Sequence, residues 1–442
     1  MPSGPVPALA RALSSRAGTF LLGGLLLREL FSFWTGHPYD FEVWIRTGYQ
    51  VSRGANPYNG FLPAVPGVSF SYTSASISSA SYLPLWPLTL GGLYRLWDFV
   101  GGGNRFVLYF LLKQPGILAD VGTAYILYRL ALRWAFDERA ALGLLVFWSF
   151  FSYAVIITAI WGQFDSIVVL VLLGTLWFRG SLSRNVLYGI GIFAKWVTVI
   201  FLPLEFLRER RFRRLAMLTA LAVPAALTAL AFAAEGWSIA FLGPVSGSQV
   251  HGGGLGMNLA FLLSLPYVVS VLSLVPGFYT LVQYAWIPGV IVAGWAAARW
   301  VSENDARSEL RALMLIVTAF LLLRWGLYEQ YMLFLFAPAA LDAATFHPGR
   351  RALLWFTVAL SMLYLLVNND LGMRFLAPAD PGILTFTTSI DQSGGWGAAR
   401  TFALAALAVM VTVTLVQWIV AIYRDEGHPR PWIFVVGSRA RP

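Results

Sequence analysis

Cysteine is absent from this chain of 442 residues, and only 12% of its residues are charged. The absence of cysteine excludes disulfides, thiolate metal sites and a cysteine nucleophile, and four scattered histidines do not suggest a zinc site. Soluble domains carry about 25% charged residues, so the scarcity of charge excludes that class. Hydrophobic residues make up 58% of the chain and fall in blocks of about 20, the length that crosses a bilayer. The composition predicts an all-α polytopic membrane protein.

Lysine is nearly as scarce as cysteine. Of the 31 basic residues only Lys113 and Lys195 are lysines, which leaves 29 arginines. We assign the formal net charge of +10 to arginines in cytoplasmic loops and expect no nucleic-acid partner. Both lysines lie inside apolar runs, where a charge costs roughly 2.5 to 3.5 kcal/mol on insertion scales. They are candidates for binding an anion, with a side chain that snorkels to the interface as the alternative.

The distribution of arginine predicts the topology. The first apolar segment, Ala17 to Trp34, follows Arg11 and Arg16 and lacks a small-residue cleavage site, so we expect a retained helix with a cytoplasmic N-terminus. Residues 35–104 then form a large first external loop with interfacial helices. Later apolar runs give about ten full crossings within a single transmembrane domain, 1–442, and both termini face the cytoplasm.

Residues 185–207 do not fit a single crossing. Cytoplasmic-type arginines stand at both ends of this segment, which is long enough for only one span. Two half helices that enter and leave on the same side satisfy both ends, with the turn near Lys195 and Trp196. Non-helical backbone at membrane depth is tolerated only inside protein or beside a wet cavity, so we predict a re-entrant hairpin with Lys195 at its tip.

Polar residues at the external ends of the predicted helices are the candidate site residues. Ionisable groups within membrane segments are functional candidates by default, and together these side chains predict one cavity that opens outward. The candidates are Asp40, Glu42, Lys113, Gln163, Asp165, Lys195, His251, Arg324 and Glu329.

Simpler roles remain open for several of these residues. Asp40 and Glu42 are either solvated loop carboxylates or a general base with a possible metal ligand. Asp165 is either a helix N-cap or a site residue. Glu329 is either the ion-pair partner of Arg324 or part of the cavity. His251 opens a glycine-rich external loop, which is a weak signal for phosphate binding.

Several short motifs occur in the same order as in a known superfamily. His37-Pro38-Tyr39-Asp40-Phe41-Glu42, the segment 54–58 (Gly-Ala-Asn-Pro-Tyr), Tyr82-Leu83-Pro84-Leu85 and Gly162-Gln163-Phe164-Asp165 resemble elements of GT-C glycosyltransferases. The closest likenesses are the GPI mannosyltransferase I family and the dolichyl-phosphate-glucose-dependent glucosyltransferases. Tyr328-Glu329-Gln330 resembles their His-Glu-Lys element and keeps only the acid.

The resemblance implies a GT-C fold and an inverting glycosyltransferase. A hexose, mannose or glucose, would move from a polyprenyl or dolichyl phosphate carrier to a hydroxyl of a glycan or lipid-linked acceptor on the extracytoplasmic side. Asp40 matches the catalytic carboxylate of the family, and Lys195, Arg324 and Lys113 are the cations expected near the phosphate. We expect no obligatory cofactor, with a divalent cation as an open possibility.

Two other classes use the same kind of composition. A flippase or transporter of a lipid-linked or anionic substrate also needs buried cations and broken helices, but alternating access usually comes with repeated halves, and the sequence shows no repeat. An inactive scaffold would give no role to Asp40 or to the two lysines. We expect a multi-pass enzyme of a prokaryotic cell membrane, archaeal or bacterial.

Overall fold

The protein is described by a computed structural model that covers residues 15–58, 60–73, 77–78, 82–134, 136–178, 181–208, 211–237, 256–302 and 305–424. These residues are predominantly helical, and their β-structure is a two-stranded antiparallel ribbon of β1 (Phe61–Leu62) and β2 (Ile77–Ser78). The prediction of an all-α architecture is confirmed.

The first half of the chain contains the external loop and the helices that carry most of the candidate residues. Its helices are α1 (Arg16–Ser32), α2 (Asp40–Ser52), α3 (Leu85–Phe99), α4 (Arg105–Arg133), α5 (Glu138–Ser149), α6 (Ser152–Val155), α7 (Asp165–Trp177), α8 (Ser181–Ala194), α9 (Leu202–Arg208) and α10 (Arg211–Glu235). Side-chain caps fix three of their starts, because Ser15 accepts the Gly18 N–H, Asn104 accepts the Phe106 N–H and Asp137 accepts the Arg139 N–H.

The second half continues as helices joined by short 3₁₀ turns. Its helices are α11 (Ala260–Leu263), α12 (Pro266–Leu272), α13 (Phe278–Tyr284), α14 (Trp286–Ala298), α15 (Ala306–Leu323), α16 (Leu333–Thr345), α17 (Arg351–Asn368), α18 (Gly382–Gln392) and α19 (Gly394–Arg424). The helices α11 and α12 have four and seven residues, so each is too short to span a bilayer.

Four helical segments of the described chain are long and apolar enough to cross a membrane. They are Glu138–Trp161, Phe278–Ala298, Pro348–Asn368 and Gly394–Arg424. Shorter apolar helices, such as Asp165–Trp177 and Trp196–Leu207, add to the membrane character of the chain. This supports an integral membrane protein, while the count of about ten crossings stays a prediction.

The segment around Lys195 turns back on itself. Lys195 is in an extended conformation between α8 and a 3₁₀ turn, Trp196–Phe201, that continues as α9. At the other end of the segment, Arg184 Nη2 lies 2.5 Å from Glu205 Oε1. Two residues far apart in sequence therefore meet where α8 begins and α9 ends, with Lys195 at the turn. Its re-entrant position in a membrane stays a prediction.

The loop 35–104, which is predicted to be external, is a small packed unit rather than an open connector. Helices α2 and α3 pack together, and the fully buried Glu42 and Arg46 pair at 2.9 Å. Glu42 Oε1 accepts the N–H groups of Phe70 and Ser71 at 2.5 and 3.0 Å, and Arg46 donates to the carbonyls of Leu62, Ser71 and Tyr72. This pair therefore holds the loop together.

A second buried ion pair joins α1, α4 and α5. Arg28 Nε donates to Asp120 Oδ2 at 2.8 Å, and Arg28 Nη1 also donates to the carbonyl of Ser149 at 2.6 Å. Asp120 Oδ1 accepts the Trp148 indole N–H at 2.7 Å. Both charged side chains are almost fully buried, so each of these two buried charges is compensated by the other.

The substitution Arg28→Met should lower the free energy of unfolding by about 3 to 5 kcal/mol, because it leaves the Asp120 carboxylate buried without a cation. The change can be measured from the thermal unfolding midpoint of detergent-solubilised protein. Arg53→Met is the matched control, since its pair with Asp98 is largely exposed and should contribute less than about 1 kcal/mol. Equal losses of stability from the two substitutions would contradict the conclusion that the buried Arg28–Asp120 pair stabilises the fold more than the exposed Arg53–Asp98 pair.

Candidate active site

Asp40 is held by two neutral donors at the start of α2. Its Oδ2 accepts the indole N–H of Trp161 at 2.9 Å and the amide N–H of Gln163 at 2.8 Å. The Asp40 side chain is 26% exposed, and its Oδ1 has no hydrogen-bond donor among the described residues. Asp40 therefore has a fixed orientation and one accessible oxygen that can accept a proton.

A turn of π-helix places those two donors. Residues Ile156–Trp161 form this turn, which ends at Gly162 with a φ of +95°. The left-handed conformation suits glycine, and an added Cβ would lie 3.2 Å from both Lys113 and Phe41. Since π-helical turns are frequent at functional sites, the local irregularity is consistent with its role in aiming Trp161 and Gln163 at Asp40.

His37 supports the same carboxylate from the other side. Its Nδ1 accepts the backbone N–H groups of Tyr39 and Asp40 at 3.3 and 3.2 Å, and its ring stacks on Trp161 with centroids 4.5 Å apart. Burial lowers the pKa of His37, although the Asp40 charge opposes that shift. A neutral imidazole therefore positions Asp40 without competing for its charge.

Lys195 and Asp165 form a buried ion pair next to Asp40. The Lys195 ammonium lies 2.8 and 2.9 Å from the two oxygens of Asp165 and 4.9 Å from the ring centroid of Tyr331. Asp40 interacts electrostatically with both members of the pair. Asp165 does not cap α7 with its side chain, so the N-cap alternative is wrong. The Lys195 side chain is only 3% exposed, which excludes snorkelling.

Arg324 extends the cationic side of the group. Its guanidinium lies 5.2 Å from the Trp196 ring and 5.7 Å from the Trp286 ring, beside the tip that carries Lys195. It also interacts electrostatically with Tyr328, as Asp40 does. Arg324 and Lys195 therefore lie on neighbouring parts of the structure, because Trp196, which Arg324 contacts, directly follows Lys195.

Glu329 is a buried acid in the connector between α15 and α16. Its Oε1 accepts the side-chain N–H of Asn368 at 2.7 Å, and its carbonyl accepts the Tyr153 hydroxyl at 2.8 Å. It therefore binds Asn368 rather than Arg324, and the ion-pair alternative is wrong. Burial raises the pKa of Glu329 to about 7, with a smaller contribution from the charge of Asp40 and opposing hydrogen bonds.

Lys113 and Glu42, two of the predicted site residues, form hydrogen bonds and ion pairs with other parts of the protein. The Lys113 ammonium donates to the carbonyl and hydroxyl of Thr35 at 2.6 and 3.1 Å and to the carbonyl of Ala159 at 2.7 Å. These three acceptors occupy its three N–H groups, so Lys113 ties the first loop to the π-helical turn. Glu42, as shown above, holds the external loop together. Both side chains therefore have structural contacts in place of a ligand. The predicted candidate His251 lies outside the described residues.

Four residues that line or support this group were not predicted from the sequence as site residues. They are His37, Tyr82, Trp161 and Asn368. His37 and Tyr82 are the first residues of two recognised motifs, and Trp161 directly precedes a third, so their position in the chain was the available signal. The Tyr82 ring centroid lies 5.9 Å from the Lys195 ammonium. The sequence contained no signal for Asn368, because only the packing of α17 against the 3₁₀ turn Glu329–Met332 brings Asn368 to Glu329.

A metal site was left open by the sequence. Within the described ranges, no three side chains of His, Asp or Glu lie together as candidate ligands for a metal ion. The aspartates at this site instead face an ammonium and neutral N–H donors. The expectation that no metal is obligatory stays a prediction.

The substitution Gly162→Ala should lower the free energy of unfolding by roughly 1 to 2 kcal/mol, because a Cβ is strained at positive φ. The thermal unfolding midpoint measures this loss. Gly143→Ala, within α5 and with open space around the added Cβ, is the matched control and should be neutral or slightly stabilising. If Gly162→Ala behaved like the control, the turn would not depend on glycine.

A comparison with known families identifies the family of the chain. Residues 103–324, half of the chain, match the model of Glycosyltransferase family 87, and a comparison with curated proteins gives no match. The matched range includes Gln163, Asp165, Lys195 and Arg324. The predicted GT-C superfamily likeness is therefore confirmed, and the enzyme class is favoured over a flippase or scaffold. The chain belongs to glycosyltransferase family 87, a family of membrane glycosyltransferases of the GT-C type.

Proposed function

We propose that the protein transfers a hexosyl group, mannosyl or glucosyl, from a polyprenyl phosphate to a hydroxyl of a glycan or lipid-linked acceptor, with inversion at the sugar carbon. One observation carries the proposal: a carboxylate, Asp40, is fixed through one oxygen by Trp161 and Gln163, while its other oxygen has no donor among the described residues and the carboxylate interacts electrostatically with Lys195. That arrangement suits a general base next to a site for an anionic leaving group.

In the proposed reaction the acceptor oxygen forms a bond to the anomeric carbon of the donor sugar while the bond from that carbon to the phosphate oxygen breaks. The acceptor proton moves to Asp40 Oδ1. The electron pair of the broken bond leaves with the polyprenyl phosphate. Because attack and departure occur on opposite faces of the sugar, one displacement inverts the configuration.

Lys195 and Arg324 would stabilise the leaving phosphate. Two Lys195 N–H groups point to Asp165, and the third has no described hydrogen-bond acceptor, so it can donate to a phosphate oxygen. Asp165 would keep the ammonium charged and oriented in the empty site. Cations fixed in advance beside a developing negative charge stabilise the transition state more than the ground state.

The placement of charge along the helices supports an extracytoplasmic site. Asp40, Asp165, Lys195, Arg324 and Glu329 all lie at or near helix ends. Arg184 and Arg307 lie near the opposite ends of the helices that lead to Lys195 and Arg324, and arginines 16, 133, 351 and 424 lie at ends of α1, α4, α17 and α19. Arginine-rich ends face the cytoplasm, so the site would face outward, where a membrane-borne polyprenyl phosphate can serve as the donor.

The substitution Asp40→Asn should reduce hexosyl transfer by about a hundredfold or more, because it removes the proton acceptor. Purified protein would be incubated with radiolabelled polyprenyl-phosphate mannose or glucose and a membrane lipid extract, and label in the product counted. Asp98→Asn is the matched control, since Asp98 is a carboxylate of the same external loop that pairs with Arg53 on the surface. Unchanged transfer by Asp40→Asn would remove Asp40 as the base.

The pH dependence of donor binding should report the ionisation of Glu329. This group is neutral below and anionic above its pKa of about 7, and the added negative charge opposes an anionic donor. The KM for the polyprenyl-phosphate sugar should therefore rise in wild type as the pH passes upward through that value.

The variant Glu329→Gln should remove most of this rise, because glutamine keeps a carbonyl oxygen for Asn368 but cannot ionise. The measurement is the donor KM at a series of pH values for wild type, Glu329→Gln and the surface control Asp98→Asn. A rise that persists unchanged in Glu329→Gln would assign the pH dependence to another group.

A further inference from the structure

A cavity lies next to the candidate active site and shares Asn368 with it. It encloses about 460 Å³ between α17, α19 and the short helix α11. Its polar lining consists of Ser264, Asn368, Asp391, Arg400 and Thr401, and Phe261 is one of the apolar residues beside them. Asn368 ends α17, and Arg400 lies in the second turn of α19, so the cavity is at the same ends of the helices as the candidate active site.

The charges beside this cavity balance. Arg400 Nη1 lies 2.7 Å from Asp391 Oδ2 and 3.5 Å from Asp370 Oδ1. Arg374 pairs with the same two aspartates. Two guanidinium groups therefore face two carboxylates, and the cavity has no excess of positive charge to attract a phosphate. The balance favours a neutral ligand.

The lining also retains capacity to accept hydrogen bonds. The Thr401 hydroxyl donates to the carbonyl of Gly397 at 2.9 Å, which leaves its oxygen lone pairs available. The Thr401 hydroxyl oxygen can therefore accept a hydrogen bond from donors on a ligand. A ligand rich in hydroxyl groups supplies such donors, and its C–H faces can pack against Phe261. These are the properties of a sugar.

We propose that this cavity binds a sugar residue of the acceptor glycan, so that the enzyme recognises its acceptor through a neutral, polyhydroxylated subsite separate from the Lys195 side. This inference rests on the proposed function, because it names where that function holds its acceptor. The cavity is assigned to a sugar rather than to a lipid phosphate on the charge balance just described.

One side chain connects the cavity to the reaction centre. Asn368 lines the cavity and donates to Glu329 Oε1 at 2.7 Å, and Glu329 interacts electrostatically with Asp40. The Lys195 and Asp165 pair approaches Asp40 from other helices, α7 and α8. The cavity and the Lys195–Asp165 pair are therefore built from different helices, and both are linked to Asp40, the cavity through Asn368 and Glu329.

Direct binding tests the subsite without requiring turnover. Wild-type protein in nanodiscs would be titrated with methyl α-mannoside and methyl α-glucoside, and saturation-transfer difference NMR would record contact between protein and sugar. Thr401→Trp fills the cavity and leaves the four charged residues of the ion network, Asp370, Arg374, Asp391 and Arg400, unsubstituted. Phe402→Trp is the matched control, because Phe402 is the next residue on α19, is 77% exposed and does not line the cavity.

We expect a signal from at least one glycoside with wild type and Phe402→Trp, and a signal reduced by roughly fivefold or more with Thr401→Trp, since a filled pocket excludes the ligand sterically. Equal signals from Thr401→Trp and wild type, or no signal from wild type with either glycoside, would overturn the subsite.

The transfer assay separates this inference from the proposed function. With labelled donor and increasing amounts of membrane lipid extract, Thr401→Trp should need more extract to reach half of its maximal rate, while its donor KM stays that of wild type. Normal extract dependence in Thr401→Trp would overturn the subsite and leave the transferase proposal intact. Glycoside binding by a wild type that transfers no label would support the subsite as a sugar site and refute the proposed function.

Discussion

A charge buried in an apolar helix bundle must be paired, and this requirement arranges much of the polar interior of the protein. The pairs Arg28–Asp120, Arg184–Glu205, Lys195–Asp165 and Arg350–Asp342 each connect residues that are distant in sequence or lie on different elements. Breaking such a pair leaves an uncompensated charge, which is strongly destabilising. Asp40 is different, because the donors that hold it are a neutral indole and a neutral amide. Its charge is oriented without being neutralised, which is the condition for a group that must accept a proton.

The sequence predicted features that follow from local composition and from the cost of burying charge. Lysine occurs at only two of the 31 basic positions, which identified Lys195 as unusual. The arginines at both ends of 185–207 predicted a turn within that segment, and the structure has extended backbone at Lys195. The same reasoning could not tell Lys195 from Lys113. Both are buried, but Lys113 spends its N–H groups on Thr35 and Ala159, and those acceptors are identified only when α1, α4 and the π-helical turn are packed together.

Features that depend on packing between distant segments could not be predicted from the sequence. The stack of His37 on Trp161 and the bond from Asn368 to Glu329 join residues more than 35 positions apart, and no periodicity signals such contacts. The network of Arg374, Arg400, Asp370 and Asp391 was missed for the same reason. From the sequence alone, a charged residue near a helix end is interpreted as an anchor at the membrane interface. Its ion-pair partners are identified only in the structure.

The proposed reaction has an electrostatic difficulty that the geometry addresses. Asp40, Asp165 and Glu329 are all acids, yet the donor carries a negative phosphate. The charge of Lys195 compensates that of Asp165. Burial raises the pKa of Glu329 to about 7, so much of Glu329 is protonated at pH values below about 7. Asp40 is then the main negative charge of the site. During transfer Asp40 gains a proton as the phosphate gains a charge, and the total charge of the site does not change. Negative charge moves from the Asp40 side to the Lys195 and Arg324 side, where fixed cations receive it with little reorganisation. That separation explains why the base is held by neutral donors while the cations are held apart from it.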